Sequence, residues 1–412
     1  MTNKEILLEE IGETKEELIP ELSRTKKRKP LRWALTCGAC AAAVLVGVML
    51  LPSGNTSIYG ALPHTAEREI AAGTQPLRSE IVPGSMGFEG MMAYDISELD
   101  NANPWNAEME IDALPVYRNL CCIPEYPSLS GMAYLPQERM EEILQNTADA
   151  LNVMITSTKL TLIKDMVGGD YPQELMEGVW SIEAVCSGGI SISVYGDGEI
   201  CLRFRNKKLP SGYSFTYDDT TAEEADEVLS YLTEEYAAFL QMEDPVCWSY
   251  ADRSYAGREN RSYYAYDRTG DAVQDILHYN LAGVQFAPDD FGSLMLIRRN
   301  NAFCAAEYLG DYPIITAETA QQALLSGSYY TTVPEEYLKG GVIAEEDIAR
   351  IELIYRNRSN EEFFQPYYRF YVELDTSHFT DVPEGLKDFG LFYVPAVSPE
   401  YLSDFEMELT FN

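Results

Sequence analysis

Residues 33–51 read WALTCGACAAAVLVGVMLL, nineteen positions without a charge. At ~1.5 Å of rise per residue, one helix of that length crosses a hydrocarbon core of ~30 Å. The run divides the chain unevenly. Arg24, Lys26, Lys27, Arg28, Lys29 and Arg32 crowd its N-terminal side, and residues 52–62 on the other side carry no charge. By the positive-inside rule, residues 1–32 form a cytoplasmic tail, 33–51 a single transmembrane helix, and the remainder lies outside the cell. Trp33 sits at the inner edge, where an indole favours the headgroup layer.

Two other readings of the run are weighed. A cleaved signal peptide would need an unusually long basic region and a small-x-small site, which Pro52-Ser53-Gly54 does not offer. A buried core helix would have six positive charges packed at one end. A lipoprotein anchor does not fit either, because Cys37 and Cys40 fall near the start of the run rather than after it.

Charge follows the same division. The chain holds 30 Lys and Arg against 66 Asp and Glu, and residues 1–32 take 8 and 7 of these. All of the excess negative charge therefore lies beyond the run. Such a surface repels nucleic acid and anionic headgroups and keeps the body soluble. Outside the run are Cys121, Cys122, Cys186, Cys201, Cys247 and Cys304, with no compact disulfide spacing. Cys186 and Cys201 fall in strands of one meander and are the first pair to test. Single buried thiols fit the pattern equally well.

The tail offers two short helical pieces. Asn3 caps one, and Thr14-Lys15-Glu16-Glu17 is a capping box for the other, which Pro20 limits to a turn or two. Pieces this short do not hold alone in water, so their apolar residues point to docking on a partner or on the inner membrane face. The phrase IGETKEELIPELSRTKKRKPLRW with the apolar run resembles the start of single-pass, anti-sigma-like membrane proteins of Gram-positive anaerobes.

Residues 52–105 read as a stalk, rich in Gly, Pro, Ser, Met and Asn. Three α+β modules follow. In the first, 106–210, Pro136 opens a helix with Met140, Ile143, Leu144, Thr147, Ala148 and Leu151 on one face. Alternating runs at Trp180–Cys186, Ile190–Val194 and Ile200–Phe204, broken by glycine turns, make an antiparallel meander. In the second, 211–300, Thr220 and Thr221 precede Glu223 and Glu224 at capping-box spacing, and a strand and a hairpin follow. In the third, 301–412, Thr316 caps a helix through Leu325 that Gly327 ends. Strands are expected at 351–355, 367–374 and 389–394. The fold class is thus α+β: a single transmembrane helix plus an ectodomain of helix-plus-antiparallel-meander modules.

The ordered phrases DYPIITAETAQQALLSGSYYTTVP, IARIELIYRNRS, QPYYRFYVEL and FGLFYVPAV resemble the extracytoplasmic regulatory domains of the YycH/YycI type. The likeness spans about residues 262–396. It implies a single-pass protein beside a membrane histidine kinase of a two-component system, modulating it without catalysis. It carries no functional residues with it.

No site residue is singled out for catalysis, cofactor or metal. His64, His278 and His378 are isolated, and no HExxH, nucleophile elbow, P-loop or dinucleotide fingerprint occurs. The adjacent Cys121-Cys122 reads as packing or half a disulfide. Asp218-Asp219 and Asp289-Asp290 read as solvated turns, without the alternating ligands of a calcium loop. The chain has 28 Tyr, which suit half-buried strands as well as binding surfaces. The expected function is a membrane-anchored extracytoplasmic sensor or regulatory protein. It would act through a kinase or sigma factor, with no cofactor and no nucleic acid. The rival readings are an anchored extracellular hydrolase, marked by two facing carboxylates in a cleft, and a wall-side adhesion or scaffold module.

Overall fold

In a computed structural model of the chain, the described residues are 57–60, 71–79, 87–378 and 382–404. The tail, the apolar run at 33–51 and His64 lie outside them. Among the described residues no helix is long and apolar enough to cross a membrane.

The strands and helices run in this order. First come β1 (Gly90–Ala93), β2 (Ala113–Asn119), α1 (Gln137–Ala150), β3 (Ile155–Leu162), α2 (Gln173–Met176), β4 (Val179–Cys186), β5 (Ile190–Tyr195) and β6 (Ile200–Lys207). Next are α3 (Ala222–Glu235), α4 (Ala237–Leu240), β7 (Pro245–Arg253), β8 (Glu259–Asp267), α5 (Ala272–Leu281), β9 (Val284–Pro288) and β10 (Leu294–Arg299). Last are β11 (Ala306–Pro313), α6 (Ala317–Leu325), β12 (Tyr330–Thr331), β13 (Ile348–Tyr355), β14 (Phe363–Phe364), β15 (Pro366–Glu373) and β16 (Lys387–Pro395).

Eight strands form one antiparallel sheet in the order β3-β4-β5-β6-β10-β9-β8-β7. Its centre is the β6–β10 pair, where Leu202 lies opposite Ile297. The first half is α1 and four strands with the short α2 between β3 and β4, and the second is α3, α4 and four strands with α5 between β8 and β9. Even-numbered residues of β4, β5 and β6 turn to the face covered by α1, α3 and α4. There Ile182, Ile192, Ile200 and Leu202 meet Met140, Ile143, Val228, Leu232 and Phe239 in one core. A smaller sheet runs β1-β16-β15-β13, with β12 also on β16. One face packs on α5 and α6 through Leu353, Phe370 and Phe392. The other buries Tyr367, Tyr371 and Phe389, with Tyr250 of β7 against them. A third sheet, β11-β2-β14, completes the body.

These pairings correct the expected architecture of separate helix-plus-antiparallel-meander modules, and no described helix supplies the expected single membrane span, whose residues 33–51 lie outside the described ones. Strand residues outnumber helical ones, and the strands do not respect the module limits. β6 and β10, from the first and second modules, share the central ladder. β2, from the first, pairs with β11 and β14 of the third. The physical cause of the first join is edge satisfaction: each four-strand half of the large sheet leaves an open edge, and the β6–β10 pairing closes both. The described part of the stretch expected as a stalk is also built in. Ile58 and Tyr59 lie in the main core, Ile58 N–H donates to Gln241 Oε1 at 2.9 Å, and β1 extends the smaller sheet against Gly390 and Phe389.

Local signals act as their chemistry requires. Thr221 accepts from Glu224 N–H while Glu224 accepts from Thr221 N–H, a complete capping box. Thr220 is not part of it; its hydroxyl takes the N–H of Thr216 instead. Thr316 caps α6. All six described cysteines are free thiols. Cys186 lies in the core beneath α1, whereas Cys201 sits opposite Ser193 on the other face of the sheet. That opposition rules out a bridge between them.

Candidate functional site

The β5–β6 turn sets two partly buried carboxyls, Asp197 and Glu199, into a cleft. Tyr195 N–H donates to Glu199 O, and Gly198 N–H donates to Tyr195 O, both at 2.9 Å. The Asp197 carboxylate accepts from the N–H of Glu199 at 2.9 Å, which locks the tip. Gly198 has φ +93°, and a Cβ there would lie 2.6 Å from the Cβ of Cys304. A Cβ at Gly196 would lie 2.6 Å from the Met132 carbonyl. Glycine is therefore required on both sides of Asp197 for the turn to seat against its neighbours.

Asp197 and Glu199 line a cleft of about 290 Å³. The opposite walls come from the end of β2 (Asn119, Cys121), the residues after β10 (Asn300, Asn301) and the loop after β13 (Asn357, Ser359). Asn119 holds that last loop: its Nδ2 donates to the carbonyls of Glu361 at 2.9 Å and Ser359 at 3.1 Å. Asn357 is fixed through Nδ2 to the Asn280 carbonyl at 2.9 Å. The Oδ1 of Asn301 is buried with no hydrogen-bond partner among the described residues.

The carboxyls are held against ionisation. Burial pushes Glu199 up to about 7, and neighbouring Asp197 adds to this, against the opposing charge of Arg298, whose Nε lies 3.3 Å from Glu199 Oε1. Burial likewise raises Asp197. The thiols are inert at neutral pH. Burial raises Cys121 far above its ordinary value, and pushes Cys304 up to about 12. The cleft thus presents amides, a carbonyl acceptor, a Glu199 carboxyl that exchanges its proton near pH 7, and an Asp197 whose ionisation burial opposes. It suits a neutral polar ligand rather than an anion.

The residues weighed from the sequence lie elsewhere, with one exception. Asp218 and Asp219 are exposed before α3. Asp289 accepts from the N–H groups of Phe291 and Ser293 and is a turn residue. His278 Nδ1 meets the Asp267 carbonyl at 2.8 Å and does not line the cleft. Tyr263, Tyr367 and Tyr368 are buried in the cores, and Tyr264 stacks on Trp248 at 4.3 Å. Cys121 is the exception, a cleft wall with its proton held. Among the described residues, no group of three or more His, Cys, Asp or Glu could hold a metal ion. Asp197 and Glu199 were legible only as a glycine-flanked turn; nothing in Gly196-Asp197-Gly198-Glu199 marks a site until β2 and the loop after β13 close over it.

No family model matches this chain, and no curated protein matches it. It is similar to a solved structure described as an uncharacterized protein from Eubacterium rectale ATCC 33656. The two are 10% identical with a TM-score of 0.34, over 70% of this chain and 84% of that one. A likeness at that level carries no argument about fold or function.

Proposed function

We propose that this chain is a non-enzymatic sensor or regulatory protein that works outside the cytoplasm, in association with the membrane, through a signalling partner. Its ligand site is the cleft at the β5–β6 turn. One observation carries the reading: the cleft is built from fixed amides and suppressed carboxyls, and it lacks an activated nucleophile or a base paired to one. Such a lining recognises hydroxyls and amides and leaves them unchanged. The net charge of −36 supports a body kept away from nucleic acid and anionic lipid. A kinase or a sigma factor is the partner this reading requires. The resemblance to YycH/YycI-type domains agrees with it, although no family model supports that resemblance.

A second reading has a specific observation in its favour. Glu199, pushed up to about 7 beside Asp197 in a cleft, has the proton inventory of a general acid in an extracellular hydrolase. Incubation of the protein with wall polysaccharide and peptide separates the two. The binding reading expects no product from either the wild type or Glu199→Gln. Release of product by the wild type and its loss in E199Q would overturn it.

A further inference from the structure

The segment between β13 and β15, which gives Asn357 and Ser359 to the first cleft, also contributes Glu361, Phe363 of β14 and Gln365 to a second, of about 340 Å³. Two buried acceptors there lack donors. The Glu361 side chain is 4% exposed; its Oε1 accepts from Arg356 Nε at 2.7 Å, and its Oε2 has no hydrogen-bond partner among the described residues. Gln365 is 1% exposed. Its Nε2 donates to the Arg78 carbonyl at 2.7 Å and to Tyr367 Oη at 2.9 Å. That fixes the amide, since a flip would set oxygen against the Arg78 carbonyl. Gln365 Oε1 is left buried and without a partner as well.

Leaving a buried acceptor unmet costs about 1–3 kcal/mol, more for a charged group. What the cleft needs is a donor; burial raises the Glu361 carboxyl even against Arg356, and a cation at Oε2 offsets that burial where a neutral donor does not. The walls supply the rest of the specification. Pro124, Pro127 and Phe363 line the same cleft and offer an apolar channel for an alkyl stem. Arg356, the nearby cation, is also engaged by Glu89 at 3.1 Å. The acidic excess of the whole chain favours approach of a positive charge.

We propose that this second cleft binds a primary ammonium group on an aliphatic stem, through Glu361 Oε2 and Gln365 Oε1. The amine comes either as a free diamine or as a lysine side chain of a peptide. Arg78 lines the same cleft and is the chain's own competing cation, so it enters the test.

Isothermal titration of the full chain uses 1,5-diaminopentane in one arm and a blocked lysine tripeptide in the other, with glutarate as the opposite-charge control. Saturable binding is expected in at least one amine arm, and the arm that binds identifies the source; glutarate gives none. Glu361→Gln and Gln365→Met each weaken binding at least tenfold, while Glu307→Gln, an exposed site away from the cleft, leaves it unchanged. Circular dichroism checks each variant. Gln365→Met keeps the Arg356–Glu361 pair, so its loss of binding decides the matter even if Glu361→Gln does not fold. The proposal is overturned if neither amine binds the wild type, if both cleft variants bind as the wild type does, or if binding appears only in Arg78→Ala.

Discussion

The side-chain Nδ2 of Asn119 donates to the backbone carbonyl of Glu361 at 2.9 Å. This amide adds to the Asn119 N–H bond to the Glu362 carbonyl and the β2–β14 ladder, by which the end of β2 holds the loop that walls both clefts. Asn119 is 3% exposed and also takes the N–H of Cys121 on its Oδ1 at 2.9 Å. Asn119→Ala strands buried carbonyls and an N–H, and the expected loss is about 2–4 kcal/mol of stability. Urea denaturation measures it; a loss under 0.5 kcal/mol contradicts the clamp.

Asp388 of β16 is 2% exposed, and burial together with Asp252 pushes its carboxyl up to about 7. Its folded value is raised, so the stability it withholds is absent at low pH. The penalty grows as pH climbs from about 4, where the unfolded chain ionises, to about 7. Asp388→Asn should flatten that fall, by an amount on the order of 4 kcal/mol at neutral pH. Thermal melts of both proteins between pH 4 and 8 test this; parallel curves would contradict the assignment.

Gly198→Ala forces a side chain into φ +93° and against Cys304. Strain and overlap together predict a loss of about 2–4 kcal/mol. The first cleft should also lose any ligand that the wild type holds. A variant that melts with the wild type would show that the turn tolerates a Cβ.

Thr221→Ala removes the cap of α3 and should cost about 1 kcal/mol. Thr220→Ala leaves the box intact and instead frees the Thr216 N–H that its hydroxyl holds at 2.8 Å. In a Glu224→Ala background, which removes the reciprocal acceptor, the effect of Thr221→Ala should shrink, and that of Thr220→Ala should not. Chemical denaturation of the three single and two double variants reads out the coupling.

Much of the local structure was legible and much of the assembly was not. The period-two runs ending at Cys186, Val194 and Phe204 are β4, β5 and β6, because each buries its even residues on the sheet face that α1, α3 and α4 cover. The caps at Thr221 and Thr316 were readable for the same reason: their chemistry is complete within four residues. β3 was missed because ITSTKLTL is an edge strand, exposed over most of its length, with no apolar alternation to read. The joins of β6 to β10 and of β2 to β11 are long-range backbone pairings, which leave no periodic mark in either segment. Neither cleft could be found beforehand, since each is assembled from segments far apart in the chain, and its chemistry comes from burial rather than from a motif.

The central claim is that this chain binds and signals through a partner instead of catalysing. Crosslinking of the full-length protein in native membranes, followed by its recovery and identification of what is attached, tests it most directly. The account predicts co-recovery of a kinase or a sigma factor, at a yield that Asn119→Ala lowers. Recovery of the protein alone, together with a wall-polymer hydrolysis that Glu199→Gln abolishes, would contradict it.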